Sequence, residues 1–99
     1  MGGEIPTEIG SLIDLRSLYL GANQLSGEIP TSIQNLKALR ILDLGYNRLK
    51  SIPSAIGGLA SLEKIVLWYN QISGAIPESI GQLSNIQGLY AILVVTIDG

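Results

Sequence analysis

The chain has 99 residues, 46% of them hydrophobic, which suits a single small domain over residues 1–99. A net charge of −2 without a basic run argues against nucleic acid as a partner. The sequence has no His and no Cys, so it cannot assemble a nucleophile system or a zinc or iron site from those residues. We therefore expect neither catalysis nor a bound cofactor.

A repeated unit organises the sequence from its first residues. Prolines 6, 30, 53 and 77 lie 24, 23 and 24 residues apart, and such self-similarity decides the fold. The chain opens inside a partial copy, and each later copy reads L-x-x-L-x-L-x-x-N before its Ile-Pro. The asparagines in this register are Asn23, Asn47 and Asn70.

Each unit changes its hydrophobic period part-way. In Ile65-x-Leu67 the alternation has period 2, which predicts a short strand with one buried face. Beyond Pro77, Ile80 and Leu83 lie three residues apart, which predicts a single helical turn. A unit of this kind is a folded-back coil that cannot bury its own leucines, so the copies must stack.

The middle copy is one residue shorter than its neighbours. It reads Leu49-Lys50-Ser51-Ile52-Pro53, where the first copy has Ser26-Gly27 before its Ile-Pro. The missing residue therefore falls between Leu49 and Ile52. The rest of that unit keeps the common register.

With these motifs the chain resembles leucine-rich repeat proteins of the plant-type subclass, over roughly residues 3–89. The shortened middle copy is closer to the intracellular type of repeat. The resemblance implies an α/β fold: a right-handed solenoid with a parallel sheet on its concave face and turns or 3₁₀ pieces on its convex face. It also implies a fragment of about four repeats from an extracellular or plasma-membrane-associated protein, either a receptor-kinase ectodomain that binds peptides and co-receptors or a polygalacturonase-inhibitor-like protein. Paired-cysteine caps, common in secreted members, cannot form here because cysteine is absent.

Both ends depart from the repeat. MGGEIPTEIG lacks the pattern of a signal peptide, and the repeats are irregular from about residue 90 onward. The apolar run over residues 89–97 is too short to span a bilayer, so we expect no direct membrane insertion. The run is either a final strand that closes the array imperfectly or an exposed edge that pairs with another chain. Uncapped ends of this kind also predict possible self-association.

The outward positions of the predicted strands suggest a binding surface. If the strand leucines point inward, the alternate side chains point outward, and these positions include every aromatic residue of the chain. Tyr46 and Tyr69 either contact a ligand or pack sideways on their neighbours. Trp68 shares its column with Gly21 and Gly45, which predicts open space beside the ring. The predicted binding residues are Arg16, Tyr19, Arg40, Asp43, Tyr46, Lys64, Trp68, Tyr69 and Tyr90.

These observations favour non-catalytic recognition of a protein or peptide on the concave face, because Tyr and Trp commonly anchor protein interfaces. The alternative is an intracellular scaffold, or a bare structural repeat fragment, with no ligand of its own. The asparagine row has a structural interpretation in both cases, since its side chains would satisfy backbone groups in buried turns.

Overall fold

The computed structural model describes residues 2–67 and 69–71. Along this part of the chain, the strands of two parallel sheets alternate with three 3₁₀ helices. Each element packs against its counterpart in the next repeat. The predicted stack of coils is therefore present in the described residues.

A three-stranded parallel sheet joins the coils through one strand from each complete repeat. It consists of β1 (Ser17–Tyr19), β3 (Ile41–Asp43) and β5 (Lys64–Val66), in that order. Leu18, Leu42 and Ile65 are in register, so the period-2 strand prediction is confirmed at the predicted positions. In the second and third strands these residues are fully buried.

Three 3₁₀ helices follow the prolines. They are η1 (Thr7–Ser11), η2 (Thr31–Asn35) and η3 (Ser54–Gly58). Each preceding proline has φ between −76° and −67°, values that the pyrrolidine ring imposes without cost. The proline carbonyl accepts a hydrogen bond from the isoleucine three residues on, at 3.1 Å in each of the three described copies. That isoleucine is buried in η2 and η3, so the predicted helical turn is present in the described copies, while Ile80 and Leu83 lie outside the described residues.

The 3₁₀ helices pack closely enough to require small residues. A Cβ placed on Gly10 would lie 2.6 Å from Ser32 Cβ and 2.7 Å from Ser32 O. Ser32 Oγ in turn donates a hydrogen bond to Thr7 O at 2.7 Å. Gly10 therefore permits the close approach of η1 and η2.

A second sheet, which the repeat pattern did not predict, lies between the asparagine turn and the proline. Its strands β2 (Ser26–Glu28) and β4 (Arg48–Ser51) run parallel. Their register shifts between Gly27 and Glu28: Gly27 pairs with Leu49 and Glu28 with Ser51, so β4 has one more residue than β2 at this point. A bridge from Gly3 to Leu25 continues the pairing into the first, partial copy.

The core between these layers is aliphatic in the described residues. Its side chains come from the strands, the residues after them and the 3₁₀ helices of successive coils, so one cluster runs through the stack. The cluster comprises Ile5, Leu25, Ile29, Ile33, Leu36, Leu39, Leu42, Leu44, Leu49, Ile52, Ile56, Leu59, Leu62, Ile65 and Leu67. Within the described residues, no helix has the length and apolar character needed to cross a membrane.

Candidate functional site

The asparagine row has a structural role. Asn47 is 7% exposed, and its Oδ1 accepts hydrogen bonds from the backbone N–H groups of Asn23 and Leu25 at 3.1 and 2.9 Å. Its Nδ2 donates to the carbonyl oxygens of Leu20, Leu44 and Gly45 at 3.0–3.2 Å. One side chain thus satisfies backbone groups of two successive coils, as predicted.

Asn70 repeats this arrangement one coil further on. Its Oδ1 accepts from Leu49 N at 2.9 Å, and its Nδ2 donates to Leu44 O and Leu67 O. The side chain of Asn23 makes a single hydrogen bond, from Nδ2 to Gly21 O at 3.1 Å. Buried backbone groups need such hydrogen-bond partners, so these asparagine side chains have a structural role.

The outward face of the three-stranded sheet carries the residues that alternate with the buried ones. Arg16, Tyr19 and Lys64 are exposed there, and Tyr19 is 63% exposed. Val66, which occupies the register position of Asp43 in β5, is only 5% exposed although it lies outside the core cluster. These exposed side chains therefore lie on and beside β1 and at Lys64 of β5, while Asp43 of β3 is half-buried.

Arg40 forms an ion pair with the next coil. Its Nε donates to Glu63 Oε2 at 2.9 Å and its Nη2 donates to Oε1 at 3.3 Å. Hydrogen bonding to Glu63, supported by the opposite charge, raises the pKa of Arg40. Both side chains are partly exposed, so the pair contributes little to stability. It does leave Arg40 with its charge largely neutralised.

Asp43 lies where the sheet turns into the asparagine loop. Its Oδ1 accepts a hydrogen bond from Gly45 N at 3.1 Å, and the side chain is half-buried. A Cβ on Gly21 would lie 3.2 Å from Gly45 O and 3.4 Å from Asp43 Oδ1. Gly21 therefore accommodates the backbone of the next coil, whereas the predicted open space beside the Trp68 ring lies outside the described residues.

Tyr46 and Tyr69 pack on each other. Their ring centroids are 4.6 Å apart and the ring planes differ by 12°, a stacked geometry. Both have φ of +58°, a left-handed conformation that is uncommon for a bulky residue. Yet they are 58% and 67% exposed. Sideways packing is thus confirmed, and it leaves ring surface open to solvent.

Two predicted binding residues, Trp68 and Tyr90, lie outside the described residues, as does the C-terminal run 89–97. Sequence reasoning missed Ala22, which has φ of +59° and occupies the same register position as Tyr46. Its position before Asn23 indicated that it is equivalent to Tyr46. The methyl side chain of alanine, however, has no polar or aromatic group that would indicate a binding role. In the described part of the chain, no group of acidic residues is placed to hold a metal ion.

A row of coils joined by parallel strands and an asparagine row defines a repeat solenoid. Residues 4–98 match the family model described as a leucine-rich repeat region, and the chain belongs to the leucine-rich repeat family. Among curated proteins, none matches the sequence.

Solved structures with the same fold include plant receptor ectodomains. The Arabidopsis receptor kinase HAESA, in complex with the peptide hormone IDA and the co-receptor SERK1, is 39% identical, with a TM-score of 0.82 over 88% of this chain and 15% of that one. The plant peptide hormone receptor RGFR1, in complex with RGF2, is 47% identical, with a TM-score of 0.83 over 87% of this chain and 14% of that one. These similarities confirm the plant-type resemblance.

A bacterial protein shares the fold as well. The Leptospira interrogans leucine-rich repeat protein LIC12759 is 36% identical, with a TM-score of 0.81 over 86% of this chain and 21% of that one. The chain spans about one seventh of the two plant receptors and about one fifth of the bacterial protein.

Proposed function

We propose that this chain recognises a peptide or protein segment, without catalysis, on the outward face of its three-stranded sheet. In this proposal residues 1–99 form one domain, a right-handed solenoid with that sheet on the concave side and the 3₁₀ helices on the convex side. The observation that carries this proposal is the distribution of aromatic side chains between surface and core. Tyr19, Tyr46 and Tyr69 are all exposed, whereas the described core cluster contains no aromatic residue.

Exposed tyrosines on a short, rigid array suit recognition. Tyr supplies a large amphipathic contact area and is enriched at protein interfaces. Strand β1 holds Tyr19, and stacked turns before Asn47 and Asn70 hold Tyr46 and Tyr69, so little conformational entropy is lost on binding. The structures of HAESA and RGFR1 with peptide hormones support a ligand of the same class here.

The charged residues of the site divide into two groups. Arg16 and Lys64 are exposed and have no ion-pair partner among the described residues, so they are available to acidic groups of a ligand. Arg40 is paired with Glu63 and would contribute mainly through that pair. Trp68 and Tyr90 remain part of the proposed surface on the strength of their register positions.

Selection from a displayed library of random peptides tests this function. Peptides that bind the chain should bind its Tyr19→Ala variant about tenfold or more weakly, because a central ring often accounts for a large share of affinity. Lys50→Ala is the matched control, since Lys50 is exposed on β4 of the other sheet. Isothermal titration calorimetry measures both. Failure to select any peptide, or equal binding by Tyr19→Ala, would favour a scaffold without a ligand.

Self-association through the first coil is a further part of the proposal. Leu12 and Ile13 are 48% and 60% exposed, and the equivalent of Ile13 in the next coil is Lys37, which donates to Gly58 O at 2.8 Å. We expect Ile13→Lys to weaken association by about tenfold, because an exposed isoleucine would no longer be buried. The opposite end, including Val95, lies outside the described residues.

Sedimentation velocity over a concentration series measures this association. Ala60→Lys adds the same charge at the equivalent, exposed position of the third coil and should leave the association unchanged. A monomeric wild-type chain at high concentration would contradict the proposal, and so would an equal effect of the two lysines.

A further inference from the structure

The tyrosine stack ends abruptly at Ala22. Ala22, Tyr46 and Tyr69 precede the three asparagines and share φ values of 58–59°, so the backbone presents their side chains equivalently. Tyr69 covers one face of the Tyr46 ring. Ala22 has only a methyl group at the position where a third ring would cover the other face of Tyr46. The 58% exposure of Tyr46, despite its stacked neighbour, fits an open second face.

A carboxylate lies close to the backbone that precedes Ala22 and Tyr46. Asp43 is bound to Gly45 N, the residue before Tyr46, and Asp43 Oδ1 lies 3.4 Å from the position of a Cβ on Gly21, the residue before Ala22. The carboxylate therefore lies at the step between the two coils, close to the residues that directly precede Ala22 and Tyr46. In residues 2–67 and 69–71 the ion pair within 4.0 Å joins Arg40 and Glu63, so Asp43 has no cationic partner there.

Tyr19 borders the same step from the sheet. It pairs in register with Asp43 across β1 and β3, which places the two side chains on one face, and it is 63% exposed. The step thus combines a half-buried carboxylate with two exposed phenol rings. An anionic group would be repelled there, and a neutral group would leave the carboxylate unpaired.

A planar cation can interact with the aromatic rings and with the carboxylate of this step at the same time. A guanidinium group stacks on an aromatic face through cation–π attraction, and its N–H groups donate to a carboxylate in the same plane. An ammonium group has no flat surface and holds its hydration shell more tightly. The geometry therefore favours arginine over lysine.

We infer that the step bounded by Ala22, Asp43 and Tyr46 binds an arginine side chain of the peptide or protein partner. This inference rests on the proposed recognition function and names a chemical group that the ligand carries. It also gives Ala22 a role, since a larger residue there would occupy the site.

The first experiment uses a small probe and needs no identified partner. N-acetyl-arginine amide, titrated into ¹⁵N-labelled chain, should shift the amide resonances of Ala22 and Gly45 in a saturable manner. N-acetyl-citrulline amide has nearly the same shape without the charge and should not do so. Absence of saturable shifts with the arginine probe, or equal shifts with both probes, overturns the inference.

Two variants locate the effect. Asp43→Asn retains an oxygen that can accept from Gly45 N but removes the charge, and should weaken the arginine probe by about tenfold. Ala22→Tyr should abolish binding by completing the stack, on a backbone that already accepts tyrosine at the two equivalent positions. Ala22→Ser is the matched control and should bind as the wild type does. Unchanged binding by either Asp43→Asn or Ala22→Tyr contradicts the site.

The second experiment separates this inference from the proposed function. In peptides selected on the wild-type chain, replacing arginine with citrulline should cost about tenfold on the wild type and almost nothing on Asp43→Asn. Selected peptides that bind without any arginine overturn the inference and leave the recognition function intact. Failure to select peptides counts against the recognition function, and the probe titration then decides the arginine site alone.

Discussion

Replacing Asn47 with alanine is expected to lower the free energy of unfolding by about 3 kcal/mol or more, because several buried backbone groups lose their partner together. The side chain accepts from two N–H groups and donates to three carbonyl oxygens, and these belong to two successive coils. Urea denaturation followed by far-ultraviolet circular dichroism measures the change.

Asn23→Ala provides the matched control for this prediction. Asn23 occupies the same position of the preceding repeat, but its side chain makes one hydrogen bond, so the expected loss is about 1 kcal/mol. Equal losses for the two variants would contradict the bridging role of Asn47. A larger loss for Asn47→Ala with a reduced slope against urea would show that the coils also unfold less cooperatively.

Leu42→Ala is expected to cost a further large amount, about 2–5 kcal/mol, through lost burial and the cavity left behind. Leu42 is fully buried in β3, the central strand of the sheet. Its register partner Leu18 in β1 is half-buried, so Leu18→Ala should cost less than half as much. Calorimetric unfolding of both variants tests the difference. A cost at position 18 equal to that at 42 would show that the coils do not differ in packing.

The repeated pattern predicted the strands and 3₁₀ turns because each depends on a local rule. Period-2 alternation determined which face of the strand is buried, and proline followed by a three-residue spacing specified the turn. The second sheet was missed for a physical reason. Ser26, Gly27 and Glu28 show no hydrophobic alternation, and they pair because stacking places the same backbone segment of successive coils side by side.

The exposure of several candidate residues was predictable from the sequence, but their contacts were not. Outward alternation correctly placed Tyr19 in solvent, whereas the position before Asn47 left sideways packing of Tyr46 as one of two alternatives. Sequence alone did not indicate that Asp43 would turn back to Gly45, because an Asx-type contact depends on the local backbone angles. Nor did the sequence indicate that Arg40 would form an ion pair with Glu63, since both belong to a column of outward-facing residues that runs along the coils.

The register shift between Gly27 and Glu28 has a consequence for how such arrays change length. Strands of the main sheet, asparagine turns and 3₁₀ helices all stay aligned between the two copies, although the second has one residue fewer. Paired residues are 24 apart in the main sheet, as at Tyr19 and Asp43. In the second sheet they are 22 apart before the irregularity, as at Ser26 and Arg48, and 23 apart after it. The second sheet is thus the layer in which the spacing changes. It is therefore a seam at which units of unequal size can be joined, so duplication or recombination could assemble mixed arrays without disturbing the remaining layers.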